Sequence, residues 1–158
     1  MNNDITSLIE ESIKIELNVS KIYLLFHELF PDDDEFWWNL TLEEKNHAAL
    51  IQSGKEHFEP LNKFPDGLLA DSLRDLRDTN SNLHSIIRNF EKTPPSRKEA
   101  FNTALNIEYS AGELHFQTFM DKESDSTVDT IFQQLNKEDK EHALRIRAYM
   151  EEHDIPVI

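Results

Sequence analysis

The sequence predicts an all-α fold: a four-helix bundle made of two helical hairpins joined by a long crossover that contains an extra helix. Three observations predict it. The chain has only three glycines and six prolines among 158 residues, with 30% charged residues, a composition rich in helix formers and poor in turns that argues against a sandwich or barrel. Four segments carry apolar stripes stepping by three and four residues, the mark of a helix face turned toward a core. All six prolines fall outside those stripes. The length suits one domain able to bury its own core, so residues 1–158 read as a single domain.

The first helix is expected to begin near Asp4 or Thr6, either of which can cap it, and to end at Phe30 before Pro31. Its stripe is Ile5, Ile9, Glu16, Val19, Tyr23, Phe26 and Phe30. The second starts in the run Asp32-Asp33-Asp34-Glu35, where acidic residues suit a helix N-terminus, and stops before Pro60. Trp37, Leu40, Glu44, His47, Ile51 and Phe58 line it. Residues 60 to 96 hold Pro60, Pro65, Gly67, Pro94 and Pro95, with a helical stretch from about Leu68 to Phe90 between them. A third core helix follows from Ser96 with stripe Phe101, Ala104, Glu108, Ala111, His115 and Phe119, until the cluster from Asp121 to Ser126 breaks it. The last is expected to run unbroken from Thr127 to Glu152, through Val128, Phe132, Leu135, Asp139, His142, Ile146 and Tyr149.

The two halves repeat. Ile15-Glu16 set against Ile107-Glu108 puts Val19 over Ala111 and Tyr23 over His115. Glu44-Lys45-Asn46-His47 set against Asp139-Lys140-Glu141-His142 aligns a carboxylate, a lysine and a histidine, with Ala48 over Ala143. Such a repeat predicts a bundle with an approximate internal twofold.

A formal net charge of -15 repels a phosphate backbone, and no Lys/Arg run offsets it, so nucleic acid is excluded as an expected partner. With no cysteine, the chain forms neither disulfides nor thiolate metal centres, and any metal must use oxygen and imidazole ligands. Met1-Asn2-Asn3-Asp4 lacks the basic and apolar regions of a signal peptide, and no apolar run reaches membrane-spanning length. A cytoplasmic protein without a membrane partner is expected.

Six ionisable residues stand on the apolar stripes: Glu16, Glu44, His47, Glu108, Asp139 and His142. Glu44 and His47 lie three residues apart, on one helix face, where Leu40 and Ile51 call for a hydrophobe. Asp139 and His142 repeat this one hairpin later. Burying unpaired charge costs several kcal/mol per group, on the order of several times what a surface ion pair returns. Two divalent ions would cancel the four carboxylates, and each would gain one imidazole nitrogen. This mixed set suits iron or manganese better than calcium or magnesium, with zinc also compatible.

A Glu from each of two helices and a Glu-x-x-His pair from each of the other two is the ligand set of the ferritin-like di-iron carboxylate bundles. On those residues the chain resembles that superfamily, and within it the erythrin domain of the rubrerythrins. The resemblance covers roughly residues 4 to 58 and 96 to 152, and leaves the crossover unmatched. It implies a ferritin-like bundle binding two iron ions, acting as an oxidoreductase on peroxide or O2. It also implies a separate electron donor, because the cysteine-ligated iron centre common in rubrerythrins has no ligands here, and a homodimer is expected. Two residues depart from the pattern. Asp139 is one methylene shorter than the family's glutamate, and Ala111 stands where peroxide-reducing rubrerythrins tend to carry an additional glutamate. Glu113 is no replacement, because five residues turn a helix by about 500°. Two other readings follow from these departures and from the shared chemistry: iron oxidation and storage of the ferritin kind, and a bundle that has lost its metals and serves as an interaction module.

The remaining candidates receive blander roles. Glu43, Glu138 and Glu141 read as solvent-facing charges, and His115 as a hydrogen-bonded core histidine. His27, His57, His84 and His153 read as surface residues. Tyr23 suits either a hydrogen bond to a ligand or plain packing. Trp37, Trp38 and the phenylalanines read as packing.

Overall fold

Caps and breakers set the helix ends. α1 spans Ile5–Leu29 and is followed by a 3-10 turn at Pro31–Asp33, with proline at the start of the turn, where its missing N–H costs nothing. α2 spans Asp34–Phe58. α3, Leu73–Lys92, is capped by Ser72, whose side chain accepts from the Asp75 N–H. α4, Arg97–Glu108, opens on a capping box in which Ser96 and Glu99 satisfy each other's backbone N–H groups. α5 spans Thr127–Leu135 and α6 His142–Glu152. This computed structural model describes residues 5–65, 68–69, 72–110, 118–121, 123, 126–135 and 141–158. The described residues are helices and connections, with no strand among them.

Side-chain pairs give the helix directions. α1 and α2 form an antiparallel hairpin, with Glu10 paired to Lys55 near one end and His27 against the Asp34 carbonyl at the other. α3 runs back along α1 in the same direction, because Asn80 bonds Glu11 and Asn18 while the Phe90 ring meets Phe26. α4 starts where α2 starts, its Arg97 bonded to Asp33. α6 ends there, with Tyr149 stacked on Phe36 and Phe101. So α1, α3 and α6 run toward one end of the bundle, and α2 and α4 run from it.

Two apolar clusters fill the interior. One gathers Val19, Tyr23, Phe26, Trp37, Leu40 and Phe101 with Leu83 and Ile87 of α3, and the other gathers Ile9, Ile51, Leu68, Phe119 and Phe132. Each large apolar side chain that is fully buried contributes about 1.5 to 3 kcal/mol of transfer free energy. Gly54 lets α5 approach α2, for a Cβ there would lie 2.4 Å from the Phe132 ring. Along α2, Glu44 and His47 fall between Trp37 and Leu40 of the first cluster and Ile51 of the second.

The junction where the hairpin turns is tied by Asp33. It occupies the N-cap position of α2 yet makes no side-chain cap. Its oxygens instead accept from Arg97 at 2.8 and 2.6 Å and from the Tyr149 hydroxyl at 2.8 Å. The C-terminal tail is held by Asn102, which donates to the Pro156 carbonyl and accepts from the Ile158 N–H.

Several expected boundaries move. α4 stops at Glu108, where the Tyr109 and Ser110 N–H groups turn to the carbonyls three residues back, so the expected unbroken run to Phe119 does not form. The expected single helix from Thr127 to Glu152 is also replaced. α5 ends at Leu135, and α6 begins at His142 after Glu141 adopts a left-handed backbone with φ of 63°, which a continuous helix does not accommodate. Ile5, placed on the first stripe, is exposed, since the helix starts there beyond the core. Ala111, Glu113, His115, Glu138 and Asp139 lie outside the described residues. Among the described residues no helix is long and apolar enough to cross a membrane.

Candidate metal centre

Four helices deliver five ionisable side chains to one buried place. Glu16 comes from the middle of α1, Glu44 and His47 from one face of α2, Glu108 from the last position of α4 and His142 from the first of α6. None is more than 3% exposed, which for charged and imidazole groups demands partners.

The partners they find are one another. His47 Nδ1 lies 3.5 Å from Glu16 Oε2 and 3.3 Å from Glu44 Oε2. His142 Nδ1 lies 2.8 Å from Glu44 Oε1 and 3.6 Å from Glu108 Oε1. Each oxygen of Glu44 thus faces a different histidine. The two rings stand nearly parallel, with centroids 5.4 Å apart and 16° between planes. Donor atoms of Glu16, Glu44 and His47 fall within 4.8 Å of one another, and so do those of Glu44, Glu108 and His142. Either group could hold a metal ion, and Glu44 is common to both.

The electrostatics follow from the crowding of acids in a dry interior. Burial, reinforced by the negative charge of Glu44, pushes the Glu16 carboxyl up to about 8. Burial opposes charge on His47, but Glu16 and Glu44 outweigh it and push the imidazole up to about 10. His142 is likewise raised well above its ordinary value, with burial overcome by Glu44 and Glu108. Glu44 moves the other way, because His142 and then His47 outweigh burial and hold its carboxyl below the usual range. Glu16 and the two histidines are thus pushed toward their protonated forms and Glu44 toward its charged form.

Tyr23 both packs in the core and makes a buried hydrogen bond. The ring is fully buried against Trp37, and its hydroxyl donates to Glu108 Oε1 at 2.5 Å. Trp37 lies in the core and Trp38 is exposed. His57, His84 and His153 are on the surface, and His27 is half-buried against the Asp34 carbonyl.

Glu43 corrects an expectation. It is not a solvent-facing charge: its side chain is 17% exposed, and Oε2 lies 2.7 Å from His142 Nε2 and 2.5 Å from Arg145 Nη1. The approach to His142 is an ion-pair contact and not an aligned hydrogen bond. The contact crosses from α2 to α6, so no spacing within one helix reveals it. Arg145, three residues after His142 and on the same helical face, was the available signal. Glu141 is exposed, as expected.

Comparison with protein-family models, with characterised proteins and with solved structures finds no match for this chain.

Proposed function

We propose that this chain is a dinuclear metal protein of the rubrerythrin type, holding two iron ions at the centre and acting as an oxidoreductase on peroxide or O2 with a separate electron donor. One observation carries the reading: two buried carboxylate and imidazole groups that share Glu44. The donor set fits the ions. Among the described residues Glu16 Oε2, both oxygens of Glu44 and Glu108 Oε2 are buried without hydrogen-bond partners, and a cation would satisfy them. Oxygen and imidazole donors without thiolate are compatible with iron, manganese or zinc. The helix directions, with α2 and α4 running from the end toward which α1 and α6 run, support a ferritin-like arrangement, as do the residues that resemble the erythrin domain. Asp139 is proposed as a further ligand from the alignment of Asp139-Lys140-Glu141-His142 with Glu44-Lys45-Asn46-His47.

Glu16 and His47 would hold one ion, Glu108 and His142 the other, with Glu44 placed between them. The bound irons would supply one-electron redox chemistry and a place for a small oxidant. The chain's own residues do the rest. Tyr23 fixes the orientation of Glu108, the two apolar clusters keep bulk water from the centre, and the protons retained by Glu16 and the histidines are displaced when cations enter.

Metal analysis and a rapid-mixing assay test this together. The purified protein should take up about two ferrous ions per chain, and peroxide should oxidise them stoichiometrically, with an added reductant restoring the ferrous state for further turnovers. Glu44→Ala should lose uptake and reaction alike. Wild-type protein that binds no iron would refute the proposal.

A further inference from the structure

His142 meets carboxylates on both edges of its ring. Nδ1 faces Glu44 and Glu108 inside the centre, while Nε2 lies 2.7 Å from Glu43, outside it. A neutral imidazole has one N–H and one lone pair, and only the nitrogen with the lone pair binds a cation. With Glu44 and Glu108 engaged by a cation, the negative charge of Glu43 at the Nε2 edge favours the tautomer with its N–H on that edge and leaves the Nδ1 lone pair free to bind. Glu43 is well placed for this, because Arg145, one helical turn beyond His142, meets the same oxygen and keeps the side chain in place.

We propose that Glu43 is a positioning residue that turns His142 with Nδ1 toward the Glu44 and Glu108 side of the centre, making the two ion positions inequivalent. The inference rests on the metal-binding reading above. It assigns to Glu43 a task on one ion only, since its contact is with His142 and not with His47.

The test separates the two ions by background. In a His47→Ala protein the ion on the His142 side remains, and adding Glu43→Ala there should weaken Mn2+ binding about 10- to 100-fold. In a His142→Ala protein the same Glu43→Ala change should leave Mn2+ affinity unaltered. Glu43→Gln, which removes the charge and keeps the volume, should show the same one-sided loss with the helical circular dichroism of its parent. A merely structural role would weaken both backgrounds alike, and that result overturns the proposal. So does unchanged affinity in the His47→Ala background. Wild-type protein that takes up two Mn2+ ions alongside either result places the failure on Glu43, whereas wild-type protein that takes up none removes the metal reading itself.

Discussion

His47 and His142 stand at matching places in two segments of like spacing, Glu44-x-x-His47 and Asp139-x-x-His142, and the backbone at the two histidines differs. The first sits in the interior of an unbroken 25-residue helix, so its register follows from helix geometry alone. In the second, His142 is the first residue of α6, and Glu141 before it has a left-handed backbone. Both histidines still reach the centre with Nδ1 toward Glu44. The difference teaches that an imidazole reaches the same buried place from the interior of a long helix or from the first residue of a short one.

The largest effect should come from the residue the two sides share. Glu44→Ala is expected to reduce bound metal from about two ions per chain to nearly none, whereas His47→Ala and His142→Ala should each lose about one. Metal counts after gel filtration check this, and a Glu44→Ala protein that keeps either ion would show the sides to be independent.

The next effect is on stability. The raised His47 contributes stability that is full below its ordinary value of 6.5 and is lost as pH rises through about 10. The raised Glu16 has the same sign, full below 4.5 and lost through about 8. Glu44, held low, acts oppositely and loses its contribution as pH falls through its folded value, below 4.5. Chelated protein should therefore melt at lower temperature at about pH 9 than at about pH 6, while the gain on adding metal should widen over that interval as fewer protons compete. Melting curves with and without chelator at both values check it, and a gap that narrows with rising pH would contradict it.

A smaller effect distinguishes the centre from the hairpin junction. Arg97→Ala leaves the buried Asp33 with Tyr149 alone and should cost about 2 kcal/mol, equally with and without metal. Denaturant titration in both conditions measures it. The smallest effect addresses the two backbones directly. Glu141→Gly should stabilise by about 1 kcal/mol by relieving a left-handed residue, whereas Asn46→Gly at the aligned position should destabilise by about 0.3 kcal/mol. Opposite signs for one substitution would establish the break before His142, and equal signs would indicate a continuous helix there.

Much of this was legible in the sequence because stripe and breaker act locally. Pro31 and Ser96 marked helix ends, and Glu16, Glu44, His47, Glu108 and His142 betrayed themselves as charges on apolar faces. The break at Glu141 was not legible, since no glycine or proline lies between Thr127 and Glu152. Glu43 was misread because its partners His142 and Arg145 are on another helix. Asp33 was read as a helix-terminal charge, although its oxygens are used by α4 and α6. Contacts between helices distant in sequence leave no periodic trace.

The central claim is that these buried acids and imidazoles gather around cations. Diffraction from iron-soaked crystals, recorded on both sides of the iron absorption edge, tests it most directly. The account predicts two anomalous peaks, one among Glu16, Glu44 and His47 and the other among Glu44, Glu108 and His142. Peaks only on the acidic surface, or none at all, would contradict it.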